Sequence, residues 1–459
     1  MYKKIFFTLA IVILISMPCF ARLDVVYPSS KVVTVNSDSA FFLGNTDVGS
    51  ILTINSVGVK LWEDNFFVHS VPLNMGRNEI NITSLHNGET ESVTYIVNRN
   101  KSASSGGVSS SYTHTGLLST KTKGRYATLR AKPSSYATRL IDLPKGVTIY
   151  LSGKQGNYYR VDSNEEIWIN KSDIETPVAI SEKIEPQLLN KEFTSDEHYN
   201  YIKFTLSYPA MYTFKHNGKD LSLTIYGIRN SDGNNYTYTY STNSEIIGYD
   251  GYYEGNTLVF RIAKTLENSE GLSSLAGVRI FVDPGHGGSE KGSVGPTRVP
   301  EKDINLYIST YLIKYLKDAG AVVTTSRTYD TTVPLYDRVQ KAKDDKALIS
   351  VSIHANALPN GKDPYKTHGT EVHYYNENAK QLAEIIKNNL VYDVHLKDNG
   401  IHKSSFALDR ATNPVSVLVE VAYMIYPEEY IKLKNPEFQE KVAQSIKKSL
   451  EQYIYMLKK

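Results

Sequence analysis

Residues 280–306 read IFVDPGHGGSEKGSVGPTRVPEKDINL. An apolar run ends in Asp283, Pro284, Gly285, Gly287 and Gly288 surround His286, and Glu301 stands where a helix begins near Asp303. Glycine and proline let a backbone turn sharply and come close to a ligand. Farther on, SVSIHANA (350–357) sets His354 at the end of a second apolar run, and VLVEVAY (417–423) holds Glu420 inside a third. Two histidines and a glutamate at strand ends and a helix start, with a second glutamate in a strand, are the inventory of a three-ligand zinc site with an open position and a carboxylate base. Hydrolysis is the chemistry this set favours.

Outward from that stretch, residues 271–459 alternate apolar runs with helical periodicity. Strands are expected at 278–282, 321–325, 347–353, 371–375 and 415–421. Helices are expected at 335–346, 378–392 and 438–457. A further helix starts near Asp303, with Ile304, Tyr307, Ile308, Tyr311, Leu312, Tyr315 and Leu316 on one face. The alternation predicts an α/β domain around a mainly parallel sheet. Such sheets bind ligands beyond the carboxyl ends of their strands, so His286 and His354 are expected at one edge. A phosphate cradle is the competing reading of the glycines. It fails because no Gly-Lys-Ser/Thr follows and the helix does not start at once. A lone histidine is most simply a core residue. Four suitable side chains beside strands and helix starts argue otherwise, although their spacings of 15, 53 and 66 residues carry no local signature.

The whole chain has 459 residues, 22% charged and 41% hydrophobic, a length that predicts about three domains of ordinary globular composition. At its start, Lys3 and Lys4 precede an apolar run at 5–17, and Cys19-Phe20-Ala21 offers a small residue for cleavage. That is the pattern of a secretory signal peptide over 1–21, with an apolar core short of the roughly 20 residues a membrane span needs. Pro18 is not the small residue that precedes a lipidated cysteine, so lipidation of Cys19 is not expected. Cleavage after Ala21 leaves 49 basic and 48 acidic residues, a formal charge of +1 that does not argue for nucleic acid. It also removes the only cysteine and with it any disulfide. The expected location is the periplasm or cell envelope, without stable membrane insertion.

Between signal and α/β domain the chain is expected to be all-β. Residues 22–99 place short strands between Asn, Gly, Ser and Asp turns, as a β-sandwich does. Residues 100–118 open on NKSASSGGVSSSYTHTG and are expected to be a flexible Ser/Gly linker. Two more β modules are expected at 119–177 and 183–268. In the second, Tyr236, Tyr238 and Tyr240 alternate with Thr237 and Thr239, which puts three rings on one strand face. They are either a platform for sugar rings or, more simply, a face packed on a partner sheet.

Several segments also resemble known families. Residues 57–78 resemble bacterial immunoglobulin-like modules. Leu129-Arg130, Pro133-Ser134, Leu143-Pro144-Lys145-Gly146, Tyr158-Tyr159-Arg160-Val161 and Ile167-Trp168-Ile169 resemble a bacterial SH3-like barrel. That module commonly binds cell-wall peptides or glycans, but Tyr158, Tyr159 and Trp168 are as well explained as barrel core. By position and strand pattern, 183–268 resembles the β-rich envelope-targeting domains that precede cell-wall amidases. Residues 278–457 resemble the zinc-dependent N-acetylmuramoyl-L-alanine amidases often called type 3. The matching motifs are Asp283-Pro284-Gly285-His286-Gly287-Gly288, Glu301-Lys302-Asp303 with Leu306, Thr325-Ser326-Arg327, residues 335–338, Ser352-Ile353-His354-Ala355-Asn356-Ala357 and Val417-Leu418-Val419-Glu420.

The resemblance implies Zn2+ held by His286, Glu301 and His354, with Glu420 as general base. Asn356 and Arg338 are expected to contact substrate. That substrate would be peptidoglycan, both glycan strand and stem peptide, cut between the lactyl group of N-acetylmuramic acid and L-alanine. Some relatives carry a long insertion after the Ser-Ile-His-Ala-Asn motif, with a helix that blocks the site until a partner removes it. Here 358–368 offers eleven residues, too few for such a helix, so no activator protein is expected. Val421-Ala422-Tyr423-Met424 stands where relatives often have Gly-Phe, a change that bears on local packing. Two alternatives remain: an inactive exported wall-binding protein, and a zinc peptidase acting within the stem peptide. His368, His395 and His402 receive no role, and His373 is the spare candidate that strand alternation could turn inward.

Overall fold

The computed structural model describes residues 22–101, 111–124, 126–229, 235–243, 245–264, 275–359 and 362–458. The expected signal peptide and residues 102–110 of the expected linker lie outside them. Among the described residues no helix is long and apolar enough to cross a membrane. The chain divides into two compact units, one built on residues 22–101 and the other on most of the remainder.

In the first unit, Leu23–Tyr27, Ser39–Thr46 and Phe66–Pro72 form a three-stranded sheet. Val32–Val35, Glu89–Arg99, Gly76–His86, Ile51–Ile54 and Val57–Gly58 form a five-stranded one. Alternate residues of each strand point inward. Phe42, Phe67 and Val71 from one sheet share a buried cluster with Leu52, Ile54, Ile80, Ile82 and Val97 from the other, so the two sheets close over one core.

The second unit begins with a seven-stranded sheet. Its order is Arg139–Leu143, Ala127–Arg130, Trp168–Asn170, Tyr158–Val161, Thr148–Gln155, Thr113–Lys121, Val178–Ala179. The strand Thr113–Lys121 starts inside the span expected to be linker, which corrects that boundary. Its polar residues give no strand signal, but its backbone pairs with Thr148–Gln155 from Lys121 back to Thr113. Tyr158 and Trp168 are buried, as barrel-core residues would be. A four-stranded and a three-stranded sheet follow. Leu129, Ile149 and Ile169 join Ile202, Phe204, Leu223 and Phe260 in one continuous buried cluster, so these β segments share a core. Tyr236, Tyr238 and Tyr240 are half-buried against that core, the first two edge-on to Phe204 at 6.0 and 5.6 Å. Packing, not an open sugar platform, explains them.

The α/β domain runs β1 (Arg279–Pro284), α1 (Glu301–Asp318), β2 (Val322–Thr325), α2 (Leu335–Asp344), β3 (Ile349–Asn356), β4 (Thr370–Tyr374), α3 (Glu377–Asp393), β5 (Asp398–Lys403), β6 (Val415–Tyr423), α4 (Pro427–Lys434) and α5 (Pro436–Leu457). The sheet order is β2-β1-β3-β6-β4-β5. Every neighbouring pair is parallel except β4 with β6. Ile304, Ile308, Leu312 and Leu316 of α1 are buried, as are Leu382, Ile386 and Leu390 of α3 and Val442, Ile446 and Leu450 of α5. Each such side chain contributes about 1.5–3 kcal/mol. Tyr307, expected on the buried face of α1, is instead 56% exposed. Neither β5 nor α4 stands out in the sequence: β5 is an edge strand with one apolar residue, and α4 is a short helix opened by Pro427.

In the β5–β6 connection Asp409 is fully buried and neither carboxyl oxygen has a partner. Burial pushes its carboxyl well above the usual range, opposed only by the charge of Arg410. An acid raised in the fold carries no penalty below its unfolded pKa of about 4 and destabilises as pH rises above it. Asp409→Asn should therefore raise Tm at pH 7 by at least 2–4 °C, roughly the shift that 1 kcal/mol produces in a domain of this size. At pH 4 the same substitution should change little. Equal shifts at both pH values would show that Asp409 is not held neutral.

Candidate metal centre

The carboxyl ends of β1 and β3 and the first turn of α1 meet at one edge of the sheet. His286 follows β1, Glu301 opens α1 and His354 lies in β3. His286 Nε2 is 3.2 Å and His354 Nδ1 3.0 Å from the same oxygen, Glu301 Oε1. One ligand atom from each residue lies within 4.8 Å of the others. A tetrahedral zinc with bonds of about 2.0–2.1 Å keeps its ligand atoms about 3.3 Å apart, so the donor set suits that ion and the two distances to Glu301 are close to the spacing it needs.

Local backbone makes this approach possible. His286 adopts φ 59°, a left-handed conformation that non-glycine residues seldom take and that concentrates at functional sites. Gly292, at φ 67°, passes so close that a Cβ there would strike Glu301 Oε2 and His286 Cδ2. Glu301 is oriented by its neighbours. Its Oε2 accepts from Ser293 N (2.9 Å) and Ser293 Oγ (3.1 Å), and its Oε1 from Asn305 Nδ2 (3.1 Å) and Ala355 N (3.2 Å). Burial alone would push this carboxyl up, but the hydrogen bonds with His286 and His354 hold it well below the usual range. It is a buried anion suited to a cation.

Glu420 lies in β6, where the register pairs it with His354 on one side and Glu371 on the other. Its Oε2 is enclosed and accepts no hydrogen bond. Burial, then the charges of Glu301, Glu371 and Asp409, push its carboxyl well above the usual range. A bound cation would offset this.

Arg338 takes a different place from the expected one. It is 5% exposed, and its guanidinium donates to Asp283 Oδ1 (2.7 Å), Pro284 O (2.8 Å), His286 O (2.6 Å) and Val333 O (3.0 Å). Four of its five N–H groups are thereby committed to the protein, and the side chain clamps the His286 loop. Asp283 is completed by Ser326 Oγ (2.5 Å) and Ser352 Oγ (2.7 Å). Breaking a buried pair by removing one partner costs about 3–5 kcal/mol, so Arg338→Met should lower unfolding stability by that order and weaken metal retention. Urea unfolding with metal analysis checks this, and a loss under about 1 kcal/mol would refute the clamp.

Asn356, the other expected substrate contact, is half-buried at the end of β3 and donates from Nδ2 to Glu371 Oε1 at 2.6 Å. His373 is turned inward, but toward Glu371 (3.2 Å) and Ser404 (2.7 Å), not toward the metal cluster. His402 is exposed and His368 pairs with Glu429. Sequence reading missed Glu371. Its alternation with His373 in Gly-Thr-Glu-Val-His was the available signal, since it puts both on one face of β4.

The fold and this cluster define a class: α/β domains with a candidate His-Glu-His metal site at the sheet edge. A family model described as N-acetylmuramoyl-L-alanine amidase matches residues 280–452. The N-acetylmuramoyl-L-alanine amidase LytC of Bacillus subtilis is 34% identical over 198 residues, which cover 42% of this chain and 38% of LytC. The germination-specific N-acetylmuramoyl-L-alanine amidase of the same organism is 31% identical over 198 residues, 39% of this chain and 81% of that protein. Among solved structures, the amidase AmiC2 of Nostoc punctiforme is 32% identical, with 39% of this chain and 99% of that one covered and a TM-score of 0.37. The chain belongs to the N-acetylmuramoyl-L-alanine amidase family.

Proposed function

We propose that this chain is a zinc-dependent hydrolase that cuts the amide between N-acetylmuramic acid and L-alanine in peptidoglycan. One observation carries the reading: His286, Glu301 and His354 converge within 4.8 Å, with Glu420 on the strand beside His354, in a domain that belongs to the amidase family. His286, Glu301 and His354 would hold the metal, which when bound would polarise the substrate carbonyl and make water acidic enough to attack at neutral pH. Glu420 takes the proton of the attacking water on its carboxylate and delivers it to the leaving amine.

The protein is proposed to act outside the cytoplasm after signal cleavage, with the β modules placing it on the wall. Among the described residues between Asn356 and Thr370 none is helical. Activity without an added partner is therefore expected, and a full-length chain that stays inert until a partner is supplied would refute this. The decisive experiment incubates the purified chain and its Glu420→Ala copy with peptidoglycan, with and without a chelator, and labels new amino termini. Free L-alanine termini that require both metal and Glu420 support the amidase. Other termini indicate a peptidase, and no release by metal-loaded protein indicates a wall-binding role.

A further inference from the structure

Asn356 and Glu371 meet across a strand that belongs to neither. Asn356 ends β3, Glu371 lies in β4, and β6 runs between them. Neighbouring strands are about 4.8 Å apart, so both side chains must reach over β6 to come within 2.6 Å of each other. The register places Glu420 beside Glu371 and Tyr423 beside Asn356. The bridge thus spans the part of β6 that begins at Glu420, in the register row that also holds His354.

Glu371 cannot itself touch a substrate. It is 7% exposed, and its two oxygens are saturated. Oε1 accepts from Asn356 and from His373 Nε2 (3.2 Å). Oε2 accepts from Asn399 Nδ2 and Tyr423 OH (3.3 Å), with His402 Nε2 at 3.5 Å. A carboxylate offers about four lone-pair sites, and these donors fill them. What Glu371 determines is the orientation of the Asn356 amide. With Nδ2 committed, the amide presents Oδ1 on its other side. Among the described residues no donor reaches that oxygen, and it is not enclosed.

We infer that Asn356 Oδ1 accepts an N–H of the peptide leaving group and that Glu371 is the positioning residue that aims it. The inference rests on the amidase reading. As the amide C–N bond breaks, the nitrogen takes the proton that Glu420 removed from water, while the N–H it already carries stays in place. That N–H becomes a stronger donor as the nitrogen gains positive character. An acceptor fixed at the end of β3, two residues beyond His354, therefore binds the transition state more tightly than the ground state. The arrangement selects substrates whose scissile nitrogen carries a hydrogen, and so disfavours a tertiary amide such as one formed by proline.

The test is a double-mutant cycle on the zinc-loaded full chain, with solubilised, uncross-linked glycan–peptide as substrate. Asn356→Ala and Glu371→Gln should each lower kcat about tenfold with little change in KM, and the double variant should be no slower than Asn356→Ala alone. Rates are taken per zinc-loaded molecule, so that a loss of fold or metal is not counted as a loss of chemistry. Losses that multiply to about a hundredfold in the double variant overturn the inference, as does Glu371→Gln with wild-type kcat. Wild-type protein that frees no L-alanine termini overturns the amidase reading, and this inference with it. An active wild type with multiplying losses overturns the inference alone.

Discussion

Glu420→Gln is expected to lower turnover by about 10²–10⁴-fold, the range that a positioned acid–base group supplies, while metal content stays at the wild-type level. The amide has nearly the shape of the carboxyl it replaces but cannot take a proton from water. Glu420 lies in β6 between His354 and Glu371, and its Oε2 has no partner, so no hydrogen-bond network collapses when it is changed. Burial and like-charged neighbours also make its ionised form costly in the absence of a cation. The variant should therefore unfold no more easily than wild type at neutral pH. Release of L-alanine termini, metal analysis and thermal unfolding on one preparation separate these effects. A loss below tenfold would mean that another group moves the proton.

Removing the metal is expected to abolish activity and to lower the Tm of the α/β domain by about 8–16 °C. An ion held at a thousand times its Kd stabilises by about 4.1 kcal/mol, and each kcal/mol moves a domain of this size by about 2–4 °C. The reason is local. Glu301 is a buried anion held against His286 and His354, and His286 sits in a left-handed loop conformation. Without the cation, hydrogen bonds alone offset the cost of holding these groups together. Zinc should restore both activity and Tm, whereas magnesium should not, because two of the three donors are imidazole nitrogens. Calorimetry of chelated and zinc-restored protein is the check, and an unchanged Tm would show that the cluster binds no ion.

How much could be read beforehand depended on how local the cause was. Helix periodicity showed the buried stripe of α1 through Ile304, Ile308, Leu312 and Leu316, yet it also counted Tyr307, which faces solvent. Apolar runs showed β1, β3 and β6 to within a few residues. β5 and Thr113–Lys121 were illegible because most of their residues are polar or glycine and their pairing comes from distant partners. At the site, His286, Glu301 and His354 stand out as residue types in a motif, and the structure brings all three together. Arg338 stands out equally in the sequence, yet it serves Asp283 and the loop backbone.

By itself, then, the sequence determined the alternation of strand and helix in the C-terminal domain, the three side chains that converge at the candidate metal site and the β-rich character of what precedes them. These follow from periodicity within a segment and from residue chemistry. Only the tertiary structure decided that β4 runs antiparallel beside β6, and hence that Glu371 faces Glu420 and reaches Asn356 over a strand. Only it decided, too, that the later β segments share one core. Such pairings join residues far apart in the chain through backbone ladders and side-chain reach, and no local pattern encodes which distant partner a strand will meet.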